Sequence, residues 1–126
     1  MDLPFANHVG MRFERPRDGR SRCTLAIEEH HFNSAGMVHG GVLFTLADTA
    51  MGAALHSTLA PGESCATIEM KINYFKPVVA GVIVCTAEIV NKGRTIASLE
   101  SSLHVDDVLV AKANGTFSIF RRKQET

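Results

Sequence analysis

Over residues 41–57 the chain is apolar on every side of a helix. Leu43, Leu46, Ala47, Ala50 and Ala54 form one stripe at helical spacing, and Phe44, Met51 and Leu55 form another on the opposite side. A helix with no solvated face has to be buried, so the remainder of the chain must wrap it. The small residues Ala50, Gly52, Ala53 and Ala54 let a sheet approach closely, and Pro61-Gly62 closes the region.

The wrapping material is read from residues of period two. Over residues 65–77, Ala66, Ile68, Met70, Ile72 and Tyr74 fall on one side and Thr67, Glu69, Lys71 and Asn73 on the other, the pattern of a half-buried strand. Weaker alternation runs through Val9, Met11 and Phe13, through Cys23, Leu25 and Ile27, and from Leu109 to Ile119. Residues 82–90 are nearly all apolar, and residues 94–103 mix Ile96, Ala97, Leu99 and Leu103 with hydroxyls. Pro16-Arg17-Asp18-Gly19, Asn91-Lys92-Gly93 and Asp106-Asp107 are connections of hairpin length, which make neighbouring strands antiparallel. The expected architecture is α+β: a curved antiparallel sheet of about six strands around one long central helix.

Length and charge narrow the function. The 126 residues suit one domain, 1–126. Thirteen basic and thirteen acidic residues cancel, so no global field draws the chain to nucleic acid or an anionic membrane. Cys23, Cys65 and Cys85 form no C-x-x-C pair and read as reduced core residues. The start, Met1-Asp2-Leu3-Pro4-Phe5, has no basic region followed by an apolar stretch, and no window is long and apolar enough to span a bilayer. A soluble, cytoplasmic protein is expected.

Asp48 is the only acidic residue between His39 and Glu63, and it sits inside the apolar helix. Burying a lone carboxylate costs several kcal/mol unless something compensates, so Asp48 is either bonded to nearby backbone and hydroxyls or poised for chemistry. Gly40 and Gly41 stand where that helix begins. A helix start presents free N–H donors and the positive end of the dipole, and glycine lets a carbonyl come close to them. Such a site can hold the oxyanion that develops on a carbonyl under attack; a plain Gly-rich turn is the alternative. His39 precedes it, suited either to polarising a substrate or to fixing the loop. The histidines His30, His31 and His39 lack a carboxylate at a ligand-like interval, so no metal site is expected. No G-x-S-x-G elbow, G-x-G-x-x-G or Walker-type loop occurs, and no nucleotide cofactor is indicated.

The run Asn33-x-x-Gly36-x-x-His39-Gly40-Gly41, followed by Asp48, resembles the signature of PaaI-type (phenylacetate-degradation) acyl-CoA thioesterases of the hotdog superfamily. The resemblance extends from about Asn7 to Phe120. It implies a hotdog fold, an Asn33 that contacts the thioester or the attacking water, a Gly40 that donates its backbone N–H, and an Asp48 that is nucleophile or general base. It also implies that Thr67 helps place the water, on the strand Thr67-x-Glu69-x-Lys71-x-Asn73-Tyr74-Phe75-x-Pro77.

Asp48 lies eight residues beyond Gly40, a rise of about 12 Å at 1.5 Å per residue, farther than an Asp side chain reaches. If both act on one carbonyl, Asp48 must come from a second subunit across a two-fold axis. The resemblance implies the same, usually as a dimer of dimers. Gly41 at the helix start, Lys92 and Arg94 in a hairpin loop, and Arg121 in the tail Arg121-Arg122-Lys123 are candidates for binding coenzyme A, which enters only as part of the substrate; solvated charges are the alternative. The expected activity is hydrolysis of an aryl-, arylacetyl- or medium-chain acyl-CoA. The rivals are a non-catalytic acyl-CoA-binding module and a dehydratase using His31 with a helix acid, although dehydratases of that kind carry Pro where this chain has Asn33.

Overall fold

The computed structural model describes residues 3–123; Met1 and Asp2, with which the N-terminal segment begins, and residues 124–126 lie outside the described residues. In chain order the elements are helix α1 (Pro4–Val9), strands β1 (Met11–Phe13) and β2 (Arg20–Ala26), a 3-10 turn (Glu29–His31), helix α2 (Gly40–His56), and strands β3 (Glu63–Tyr74), β4 (Val82–Lys92), β5 (Ile96–Val105) and β6 (Val108–Arg121). The six strands form one antiparallel sheet in the order β1-β2-β4-β5-β6-β3. This is the hotdog arrangement, with α2 lying in the curl of the sheet. Among the described residues no helix is long and apolar enough to cross a membrane.

The stripe Leu43, Leu46, Ala47, Ala50, Met51, Ala54 and Leu55 is buried against inward residues such as Cys23, Leu25, Ile83, Leu99, Leu103 and Phe117. Each large side chain so placed contributes about 1.5–3 kcal/mol. The helix is not buried all round, however. Gly41 and Phe44 are exposed and Thr45, Asp48, Thr49 and Gly52 are half-buried, so one stripe of α2 stays open.

Three other expectations are corrected. Val9, read as alternating with Met11 and Phe13 in a strand, instead ends α1, which has Pro4 in its first turn and Gly10 in the left-handed conformation at its end. The turn placed at Asn91-Lys92-Gly93 falls later: β4 runs to Lys92, and the Gly93 N–H donates to the Ile96 carbonyl. The third concerns the phase of β3. Thr67 pairs with Phe117 and Glu69 with Thr116, so Ile68 is an extra, bulged residue. The bulge switches the alternation midway. Thr67, Met70, Ile72 and Tyr74 therefore share one side with the buried Phe117, Ala113 and Ala111, whereas Ala66 and Ile68 are exposed.

The turns at 16–19 and 106–107 form as expected. Asp18 and Gly19 at φ 53° and 76°, and Asp106 and Asp107 at 49° and 63°, take the left-handed conformations of two-residue hairpin turns.

Cys23 and Cys85 are cross-strand partners, both fully buried and both free. A hydrogen bond that the Cys85 thiol makes to the Cys23 side chain, and then burial, hold that thiol well above its usual range. Iodoacetamide at pH 8 should accordingly spare both residues in the native protein and label both in denaturant, as read by peptide mass spectrometry.

Candidate active site

The segment before α2 is held by its own polar groups. The Asn33 side-chain oxygen accepts from the N–H groups of Ala35 at 2.9 Å and Met37 at 3.1 Å, and the Asn33 N–H donates to the Met37 carbonyl at 2.7 Å. Gly36, at φ 76°, permits the reversal. With its oxygen committed, Asn33 keeps its amide NH2 for other partners.

His39 caps α2. Its Nδ1 accepts from the Gly41 N–H at 2.8 Å, its carbonyl accepts from Val42 at 2.9 Å, and its own N–H donates to the His31 carbonyl at 2.8 Å. Two of the first-turn donors are thereby occupied by His39. The Gly40 N–H has no partner among the described residues and points the positive end of a 17-residue helix outward. Gly41, expected beside it as a binding residue, has its N–H committed to the cap.

Gly40 and Asn33 line a cavity of about 310 Å³ with Met37, Leu43, Phe75 and Lys76. Apolar walls around one free N–H and one amide NH2 suit a polar carbonyl carried on an apolar group. Lys76 and Tyr74, which also lines this cavity, were not singled out by the sequence. Tyr74 was visible only as an inward residue of β3, and Lys76 only as the neighbour of Pro77.

Asp48 is half-buried on the open stripe rather than enclosed in the core. Its Oδ1 accepts from the Thr67 hydroxyl at 2.7 Å, an approach made possible by the Ile68 bulge. The helix between Gly40 and Asp48 is unbroken, so the two groups stay about two turns apart in one chain. Lys92, Arg94 and Arg121 lie at the other end of α2: Lys92 Nζ donates to the Thr58 carbonyl at 3.1 Å, and Arg94 and Arg121 line a cavity with Glu63. Neither cavity joins them to Gly40.

His31 is committed elsewhere. It is buried, its Nδ1 accepts from the Glu28 N–H at 2.9 Å, and its Nε2 contacts the Val9 carbonyl at 2.7 Å, which makes Nε2 the donor of a neutral ring. A ring so occupied staples the 3-10 turn to α1 and is unavailable as the catalytic histidine of a dehydratase. Among the described residues no three His, Cys, Asp or Glu side chains gather as a metal-binding set.

Residues 35–112 match the thioesterase superfamily. The chain belongs to that family. A Saccharolobus solfataricus protein with a provisional esterase designation is 31% identical over 116 residues, covering 91% of this chain and 77% of its own. Human acyl-coenzyme A thioesterase 13 is 39% identical over 82 residues, covering 63% of this chain and 56% of its own. In structure, a conserved protein of Pseudomonas aeruginosa superposes with a TM-score of 0.91 at 34% identity over 95% of this chain and 96% of that one. The phenylacetic acid degradation protein PaaI of Thermus thermophilus, in a mutant form, superposes at 0.86 with 26% identity, covering 92% and 98%. Thioester hydrolysis is thus the general chemistry of this hotdog thioesterase.

Thr67→Val should preserve the fold, since Thr67 is exposed on an edge strand, while removing the hydrogen bond that orients Asp48. A loss of about tenfold in kcat, the scale of one hydrogen bond, is the expected outcome in a thiol-release assay. His39→Ala should lower stability by about 1 kcal/mol through loss of the cap, read by urea denaturation.

Proposed function

We propose that the protein hydrolyses acyl-CoA thioesters at a site composed of two subunits, with Gly40 and Asn33 from one protomer and Asp48 from its partner. The observation that carries this reading is a Gly40 N–H without a partner among the described residues, on a glycine that lines an apolar-walled cavity with Asn33. The thioester carbonyl accepts from Gly40 N–H, which stabilises the negative charge that develops on its oxygen. The amide NH2 of Asn33 holds substrate or water, and Thr67 holds Asp48. The partner subunit's Asp48 then either takes a proton from the attacking water or attacks the carbonyl itself. In the first course the water oxygen bonds to the acyl carbon as the C–S bond breaks; in the second, loss of the thiolate leaves an anhydride on Asp48 that a water then hydrolyses. In both the products are the free acid and coenzyme A, which leaves as a thiol after gaining a proton. No cofactor takes part beyond the coenzyme A of the substrate.

Two surface features support the dimer. Strand β3 is a 12-residue edge whose outer hydrogen-bonding side is open, and edges of that length are protected in stable proteins by pairing or cover. Near it, Phe44, one turn before Asp48 on α2, and Ile68, Tyr74 and Phe75, on or next to β3, are exposed apolar residues. A second copy applied there covers them and brings its own Asp48 toward this Gly40. Pairs of such dimers give the tetramer.

The acyl group lies against Met37, Leu43 and Phe75, which suits aryl, arylacetyl or medium-chain groups; the likeness to PaaI favours phenylacetyl among them. Lys76, on the rim of the same cavity, is positioned for a coenzyme A phosphate. Lys92, Arg94 and Arg121 serve the site only from the partner, whose α2 continues about 12 Å past its Asp48 toward their end of the helix.

Thiol release from a panel of acyl-CoAs tests the reaction, and a chain that binds them without turnover is a binding module instead. Asp48→Asn should cut kcat at least about a hundredfold with little change in KM; a loss under about threefold would remove Asp48 from the mechanism. Asn33→Asp keeps the oxygen that closes the loop and removes the NH2. Refolding inactive Asp48→Ala and Asn33→Asp chains together should restore roughly a quarter of wild-type activity, because half of randomly paired dimers carry one intact site. Mixed dimers, confirmed by native mass spectrometry, that recover no activity would place both residues in one subunit.

A further inference from the structure

The weak point of the proposed oxyanion donor is its backbone. A helix that opens Gly-Gly begins with the two residues freest to leave helical geometry, each about 1 kcal/mol less favourable than Ala in a helix. A donor that wanders must be reorganised at every turnover, and preorganisation is what gives an oxyanion hole its effect. Something outside the helix has to fix Gly40.

His39 secures Gly41 and Val42, but neither of its bonds reaches Gly40. The end of β3 does. The Tyr74 hydroxyl donates to the Gly40 carbonyl at 2.7 Å, using the lone pair left over from helical bonding. The ring also occupies the space a side chain at position 40 would need: a Cβ there would lie 3.0 Å from the Tyr74 oxygen and 3.1 Å from its ring carbon. Glycine at 40 therefore admits the tyrosine as well as a substrate. Partial burial pushes the Tyr74 phenol above its ordinary range, so it remains a donor throughout the neutral range. Tyr74 lines the same cavity as Asn33 and Gly40, so the clamp sits where the carbonyl would bind.

We propose that Tyr74 is a positioning residue, holding Gly40 from its carbonyl side so that the Gly40 N–H meets the thioester oxygen in a fixed direction. The inference rests on the oxyanion role given to Gly40 above. It assigns β3 two tasks at its two ends: Thr67 orients Asp48, and Tyr74 orients Gly40.

Tyr74→Phe keeps the ring and deletes the bond. The expected result is a fall of about fivefold in kcat on the best acyl-CoA with KM within about twofold, the range one neutral hydrogen bond commands. Nitrogen-15 relaxation should show a lower order parameter at the Gly40 amide, with the rest of α2 unchanged, which a general loss of stability would not produce. Gly40→Ala retains the N–H but displaces the ring, so it should also lower kcat. Because both substitutions break one contact, the double variant Gly40→Ala/Tyr74→Phe should be hardly worse than Gly40→Ala alone. A Tyr74→Phe protein with wild-type kcat and an equally ordered Gly40 amide, beside an Asp48→Asn protein that has lost activity, overturns the role of Tyr74 while leaving the hydrolytic reading intact. A wild-type protein that binds acyl-CoAs but releases no thiol from any of them overturns the hydrolytic reading and this inference with it.

Discussion

The burial of one side of α2 organises the rest of the molecule. Leu43, Leu46, Ala50, Met51, Ala54 and Leu55 form a rounded apolar surface that a flat sheet would meet only along a line. The sheet has to curl, and its bulges supply bends: Ile68 in β3, Val90 in β4 and Val110 in β6 are each the extra residue where the register shifts. The bulge in β3 serves chemistry as well as shape. Without it Thr67 would point to the outer surface, and Asp48 would lose its hydroxyl partner.

Curling the sheet leaves β3 at an edge, and that edge runs the length of α2 from Asp48 to Gly40. Two hydroxyls cross from strand to helix, at Thr67 and Tyr74. The start of the helix is thus defined by three independent contacts: the ring of His39 on Gly41, the carbonyl of His39 on Val42 and the phenol of Tyr74 on Gly40. All three leave the Gly40 N–H alone. The scaffold removes competing donors and acceptors one by one until a single directed donor remains.

Much of this was legible in the sequence because it depends on periodicity and local chemistry. The six strands, the position of α2 and both two-residue turns follow from spacing and from Asp-Gly and Asp-Asp pairs. The errors share a physical origin in contacts that have no local signature. A bulge is one inserted residue, and Ile68 looks like any other apolar residue in an alternating run, so the phase from Ala66 to Ile68 was misread while that of Met70, Ile72 and Tyr74 was not. The openness of the stripe carrying Asp48 is set by where the sheet ends, which no helical wheel reports. The position of Lys92, Arg94 and Arg121, at the far end of α2 from Gly40 of the same chain, is likewise set by the fold and carries no local signature. Tyr74 was assigned to the correct side of β3, but its contact with Gly40 joins residues 34 apart in the chain.

The open stripe of α2 also explains why Asp48 can stand among polar neighbours without being neutralised by them. Thr45 and Thr49 flank it, yet the Thr45 hydroxyl donates to the Gly41 carbonyl at 2.8 Å and the Thr49 hydroxyl to the Thr45 carbonyl at 2.7 Å. Both threonines spend their protons on their own helix, a local bonding pattern open to Ser and Thr. Asp48 consequently receives one hydrogen bond, from Thr67, on one oxygen, and its second oxygen has no partner among the described residues. One bond fixes the direction of the carboxylate and leaves its second oxygen open to another partner. That oxygen lies on the open stripe, two turns from the free N–H of its own chain, and this separation is why the proposed mechanism draws the two groups from different subunits.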